Sequence, residues 1–118
     1  MILIKEFYFD AAHHLTKYHG KCERPHGHTY KLVVKLEGQP DEDDMIYDFV
    51  KLKRLVKDEI LIHLDHHDLN DFLDNPSAEC IAIWIFNRLE PLVKKENCKL
   101  YEIEVWETKT SGIVYRGE

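Results

Sequence analysis

His26-Gly27-His28 sets two imidazoles two residues apart at the mouth of a segment that alternates apolar and polar side chains. In an extended strand both rings leave the same face and can reach one ion. His13 ends an earlier alternating segment on its apolar side, and it becomes a third imidazole if the two strands pair, whereas His14 points the other way. Three imidazoles with no fourth side chain describe a zinc site that keeps one coordination position open, which is the catalytic rather than the structural pattern. The spacing equally suits strand-end histidines satisfied by hydrogen bonds, since the arithmetic of paired-cysteine sites is missing. Five of the eight histidines lie between His13 and His28, which makes this stretch the first functional signal.

Three further places carry reactive groups. Cys22 lies four residues before His26, where a divalent cation would favour thiolate over thiol; an incidental buried cysteine or a fourth metal ligand reads the same way. Leu64-Asp65-His66-His67-Asp68-Leu69-Asn70 gathers acids and imidazoles in a turn. An Asp-His pair suits base catalysis, but sequence neighbours diverge in regular structure, so Asp65 can orient His66 only through an irregular turn. A plain polar turn is the alternative. Glu107 extends an apolar strand face, where a carboxylate is costly without donors. A ligand with an amino-amidine edge could supply a bidentate pair, or the side chain could simply reach solvent. Cys80, within a helical pattern, and Cys98, before a strand, read as structural thiols.

The elements that must position these residues follow from periodicity. Met1 to Ala12 reads as a strand with Leu3, Phe7, Phe9 and Ala11 on one face, and His28 to Glu37 as a second with His28, Tyr30, Leu32, Val34 and Leu36 on one face. Leu15 to Pro25 between them is polar and too long for a tight hairpin. Asp48 can cap a helix with a stripe of Phe49, Leu52, Leu55, Val56 and Ile60, ending near His63. Asn75-Pro76-Ser77 opens another to about Leu92, with Asn75 or Ser77 supplying the cap oxygen, Pro76 suited to the first turn, and Ala78, Ile81, Ile85 and Leu89 as its stripe. Leu100 to Thr108 alternates again, with Tyr101, Ile103, Val105 and Glu107 on one face, and Gly112 to Arg116 can return beside it.

The order ββααββ predicts an α+β fold, an antiparallel four-stranded sheet with two helices on one face. The other face would carry Ile4, Tyr8, Val33, Leu100 and Trp106, which predicts an oligomer that buries part of it. At 118 residues the expectation is one domain, 1–118. Twenty-two acidic against 16 basic residues, a net charge of -6, argue against nucleic acid as a partner. No apolar run approaches membrane length, and the start lacks a signal-peptide layout, so no membrane partner and a cytoplasmic location are expected.

Together, Phe9-Asp-Ala-Ala-His13, Cys22-Glu-Arg-Pro-His26-Gly-His28, Asp48-Phe49, Leu64-Asp65-His66, Asn75-Pro-Ser-Ala-Glu79 and Trp106-Glu107-Thr108 resemble the 6-pyruvoyltetrahydropterin synthase and 6-carboxytetrahydropterin synthase family over nearly the whole chain. The resemblance implies the tunnelling fold, in which trimerisation joins three sheets into a barrel and two trimers stack as a hexamer. It implies Zn2+ on His13, His26 and His28, Cys22 as proton-transfer residue, Asp65 and His66 completing its relay from a neighbouring subunit, and Glu107 anchoring a small-molecule pterin. The implied reaction converts 7,8-dihydroneopterin triphosphate to 6-carboxytetrahydropterin, releasing acetaldehyde and triphosphate, on the way to queuosine-type 7-deazaguanines. Formation of the 6-pyruvoyl product ranks second. Cleavage of the dihydroneopterin side chain for folate synthesis ranks third, through Glu23, which some branches of the family use in this loop. A relative that binds zinc or pterin without turnover is the non-enzyme alternative. Lys17, Lys21, Arg24 and Arg116 are candidate phosphate contacts.

Overall fold

The computed structural model describes residues 1–17 and 24–118. Strands β1 (Ile2–His13) and β2 (His26–Gly38) pair antiparallel along their whole length, from Ile2 opposite Glu37 to His13 opposite His26. Along β1 the buried residues are Leu3, Phe7, Phe9, Ala11 and His13, the expected apolar face with His13 continuing it. Because that face is buried, a one-residue slip would expose every one of them, and the register is fixed.

Asp48 caps α1 (Phe49–Val56), its carboxylate accepting from the amides of Val50 and Lys51. The helix does not stop there. It widens into a π turn (Lys57–Leu61) and closes with the short α2 (Ile62–Leu64). The buried residues Leu52, Val56, Ile60 and Leu64 recur at intervals of four. An α-helix would rotate such a stripe by about 40° per repeat, and one wider turn takes up the drift. Phe49, expected in the stripe, is 57% exposed, since α1 begins with it turned away from the sheet. Ser77 caps α3 (Ala78–Val93) by accepting from the Cys80 amide, and Ile81, Ala82, Ile85, Phe86, Leu89 and Val93 are its buried side.

The sheet differs from expectation in two places. It has five strands in the order β3-β1-β2-β4-β5, where β3 is only His67–Asp68 and runs parallel to β1. Two residues carry no periodic signal, so this edge strand was not legible and the sheet is mixed rather than purely antiparallel. In β4 (Cys98–Trp106) the register against β2 shifts between Lys35 and Leu36, which leaves Tyr101 as an extra residue. This bulge turns Leu100 into the core, reversing the assignment of Leu100 and Tyr101, while Glu102 keeps the helix-free face that alternation gives it. β5 (Gly112–Tyr115) completes the sheet.

On the helix-free face Ile4 and Tyr8 are 53% and 64% exposed, but Val33 is buried. Much of that face is a charge network. Lys35 Nζ lies 2.7 Å from Glu102 and 2.6 Å from Glu104, Arg116 Nε lies 3.0 Å from Glu102, and Trp106 Nε1 donates to Glu104 at 2.8 Å. Among the described residues no helix is long and apolar enough to cross a membrane.

Candidate metal centre

Strand pairing delivers the three histidines to one point. His13 sits opposite His26, and His28 follows two residues on, so all three rings project on the helix-covered side. One ring nitrogen from each lies within 4.8 Å of the others. His13 Nε2 and His26 Nε2 are 3.0 Å apart.

The second ring nitrogens decide what this means. His13 Nδ1 is 2.7 Å from the Pro76 carbonyl and His26 Nδ1 is 2.8 Å from the Arg24 carbonyl. A carbonyl only accepts, so each Nδ1 holds the proton and donates it, and each Nε2 of a neutral ring presents a lone pair. Two lone pairs at this distance repel unless a cation lies between them. A single proton joins one pair and leaves His28 Nε2, buried and without a hydrogen-bond partner among the described residues, unsatisfied. A metal ion satisfies all three, and backbone carbonyls behind metal-ligating histidines are the usual means of fixing the tautomer. The donor set therefore fits a metal, and three imidazoles suit zinc. Burial holds His28 below the usual histidine pKa of 6.5, with Glu107 opposing and the two neighbouring imidazoles reinforcing the shift. The neutral, ligating form is favoured.

Glu107, one residue past β4, brings its carboxylate to the same place, with Oε1 3.2 Å from His13 Nε2 and 3.6 Å from His28 Nε2. Tyr30, next in the alternation after His28, stacks on Phe9 with ring centroids 4.8 Å apart, and its hydroxyl lies 3.2 Å from His13 Nδ1. Burial, and secondarily the Glu107 charge, pushes its phenol well above the ordinary tyrosine range, so it stays protonated. Tyr30 and the Pro76 carbonyl were missed from sequence. The first was signalled by its place in the alternation, whereas nothing marks a carbonyl 63 residues away.

Asp65 and His66 stand apart from the three imidazoles, at the end of α2, in the irregular turn their adjacency demanded. Asp65 is extended, His66 has φ 60°, and Asp65 Oδ2 lies 3.6 Å from His66 Nε2. The Asp10 backbone holds both residues: its amide donates to Asp65 Oδ1 at 2.9 Å, and its carbonyl accepts from the His66 amide at 2.6 Å. Thr29 Oγ1 donates to the Asp10 carboxylate at 2.5 Å. His28, Thr29 and His66 line one open cleft of about 550 Å³. Cys22, Glu23 and Lys21 lie outside the described residues. Of the other candidate phosphate contacts, Lys17 and Arg24 are exposed and Arg116 is engaged by Glu102.

Residues 2–118 match the family described as 6-pyruvoyl tetrahydropterin synthase. A 6-carboxy-5,6,7,8-tetrahydropterin synthase of Synechocystis sp. is 40% identical, over 97% of this chain and 92% of the relative. A dihydroneopterin monophosphate aldolase of Pyrococcus furiosus is 38% identical, over 89% of this chain and 88% of the relative. The solved structure of Caenorhabditis elegans 6-pyruvoyl tetrahydropterin synthase superimposes with a TM-score of 0.85 at 29% identity, covering 100% of this chain and 96% of that one. The chain belongs to the 6-pyruvoyl tetrahydropterin synthase family.

Proposed function

We propose that this chain is a zinc-dependent lyase converting 7,8-dihydroneopterin triphosphate to 6-carboxy-5,6,7,8-tetrahydropterin, with release of acetaldehyde and triphosphate, in 7-deazaguanine biosynthesis. The observation that carries it is the convergence of three Nε2 lone pairs beside the Glu107 carboxylate. The Synechocystis relative, named for this product, supports the choice. Zinc held by His13, His26 and His28 would supply Lewis-acid polarisation of the substrate's side-chain hydroxyls. Glu107, 30% exposed, is open to a bidentate pair with the amino-amidine edge of the pterin. Cys22 and His66 move protons at the substrate side chain, and Asp65 orients the His66 ring.

The His66 side chain is 79% exposed, free to serve the site of a neighbouring subunit. Ile2 to Asp10 of β1 has no strand on its outer side among the described residues, and β5 is the opposite edge. Such edges are templates for pairing with another copy, which supports a trimer with its sheets joined into a barrel and a hexamer of two trimers.

Metal content and acetaldehyde release from 7,8-dihydroneopterin triphosphate, before and after chelation, test the proposal. Zinc without acetaldehyde would refute the 6-carboxy reaction. The second reading is side-chain cleavage through Glu23, favoured by the 38% identity to the Pyrococcus furiosus aldolase; formation of the 6-pyruvoyl product is the other sister reaction. Mass spectrometry of products from dihydroneopterin and from its triphosphate, offered separately, distinguishes the three. Cys22→Ala should abolish turnover and leave zinc content unchanged; unchanged turnover would remove Cys22 from the mechanism.

A further inference from the structure

The hairpin that brings Glu107 to the imidazoles sends its next residues to the opposite face. The amides of Glu107 and Thr108 both donate to the Ser111 carbonyl, at 3.0 and 3.4 Å. Beyond this closure Thr108 and Lys109 line a second cleft, of about 330 Å³, with Tyr8, Thr29, Lys31 and Trp106. The row Tyr8, Lys31, Trp106 is set by register, since Lys31 lies opposite Tyr8 on one side and Trp106 on the other.

Trp106 is a fixed wall of this cleft. Its Nε1 is held by Glu104, and its ring lies so close to Gly112 that any Cβ there would collide with the indole. Lys31 Nζ stands 5.7 Å from the ring centroid. The nearby carboxylates already have donors: Glu104 has Lys35 and Trp106, and Asp10 has Thr29. Lys31 and Lys109 have no carboxylate within ion-pair distance among the described residues. Two uncompensated ammonium groups beside aromatic walls are suited to a polyanion, because low-dielectric walls strengthen the attraction. Thr29 lines this cleft and also the one shared by His28 and His66, so the two clefts adjoin at that residue.

We infer that this cleft is the subsite for the polyphosphate end of the substrate, with Lys31 and Lys109 as its cations. The inference deepens the proposed reaction and rests on it. Inorganic triphosphate is the probe, added to the metal-loaded full chain carrying Trp84→Phe, which leaves Trp106 as the sole indole. Saturable change in Trp106 fluorescence is expected, and Lys31→Met and Lys109→Met should each raise the Kd roughly tenfold, with Lys31→Arg near the parent. Lys53→Met, in a separate cleft beside Phe7 and Leu61, should change nothing. In turnover the same two variants should raise KM for the triphosphate substrate by a similar factor with kcat retained.

Equal affinity in the parent and in Lys109→Met, an exposed hairpin position that does not threaten folding, would overturn the subsite. Lysine-dependent binding without acetaldehyde release removes the reaction and keeps the cleft. Acetaldehyde release with KM indifferent to both lysines keeps the reaction and removes the cleft.

Discussion

The two faces of the sheet each gather polar groups, and they resolve them in opposite ways. On the helix-free face Glu102, 3% exposed, is matched by Lys35 and Arg116, and Glu104 by Lys35 and Trp106. Burial opposes ionisation of Glu104, yet the hydrogen bonds from Lys35 and Trp106 outweigh it and hold the carboxyl below its usual range. On the covered face the outer nitrogens of His13 and His26 are satisfied by carbonyls, and the inner lone pairs of the three imidazoles meet without a donor among the described residues. A buried cluster in which every charge has its counterpart is structure. One that is complete only when something is added is a site.

The largest effect that could break this contrast is loss of an inner lone pair. His28→Ala should reduce metal from about one per chain to a small fraction, a cost exceeding the roughly 10–100-fold in affinity that loss of an outer partner causes. Metal analysis after dialysis checks it, and full retention would mean that the three nitrogens are not the ligand set. Glu107→Gln should keep the metal but lower kcat/KM by roughly 100-fold, since the amide cannot offer a charged bidentate pair. Metal loss in that variant would make Glu107 a ligand instead. Glu102→Gln should leave metal and turnover alone and destabilise the fold by about 1–3 kcal/mol, because Lys35 and Arg116 lose their shared acceptor. A urea melt measures it, and loss of metal with no loss of stability would reverse the roles assigned to the two faces.

The covered face was largely legible in the sequence, and so were Ile4, Tyr8, Val33 and Trp106 on the free face, whereas the charge network there and the place of Leu100 were not, for a physical reason. Alternation in β1 and β2 put His13, His28 and Tyr30 on the apolar side, and antiparallel pairing then left the three imidazoles only one place to meet. Asp48 and Ser77 gave the helix starts through cap chemistry that operates within three residues. On the free face a single extra residue in β4 removes Leu100 to the core. Glu102 falls opposite Lys35 in the register that runs on from Trp106, whereas the bulge at Tyr101 puts Leu100 opposite Leu36, and no local pattern announces that shift. The π turn did leave a trace, the four-residue spacing of Leu52, Val56, Ile60 and Leu64, which an unbroken α-helix cannot keep on one side. β3 left none, since two residues paired with Ala11 and Ala12 of a parallel neighbour have no period.

The smallest expected effect concerns the proton that competes with the metal. Burial depresses the His28 pKa in the folded chain, so between that value and the ordinary 6.5 the unfolded state binds more protons than the folded one. Stability from this group is complete above 6.5 and is lost as pH falls through the folded pKa. Metal would exaggerate the trend by the same sign, because ligation requires neutral imidazole, so the measurement belongs to chelated protein. From about pH 7.5 to about pH 5.5, the chelated wild type should lose more stability in urea than chelated His28→Gln, which has nothing to protonate there. Glu107→Gln should lose more still, because Glu107 is the one neighbour that favours the charged ring. Parallel curves for all three would place His28 in an environment no drier than solvent, and the covered face would then have no greater claim to an unsatisfied centre than the charge network behind it.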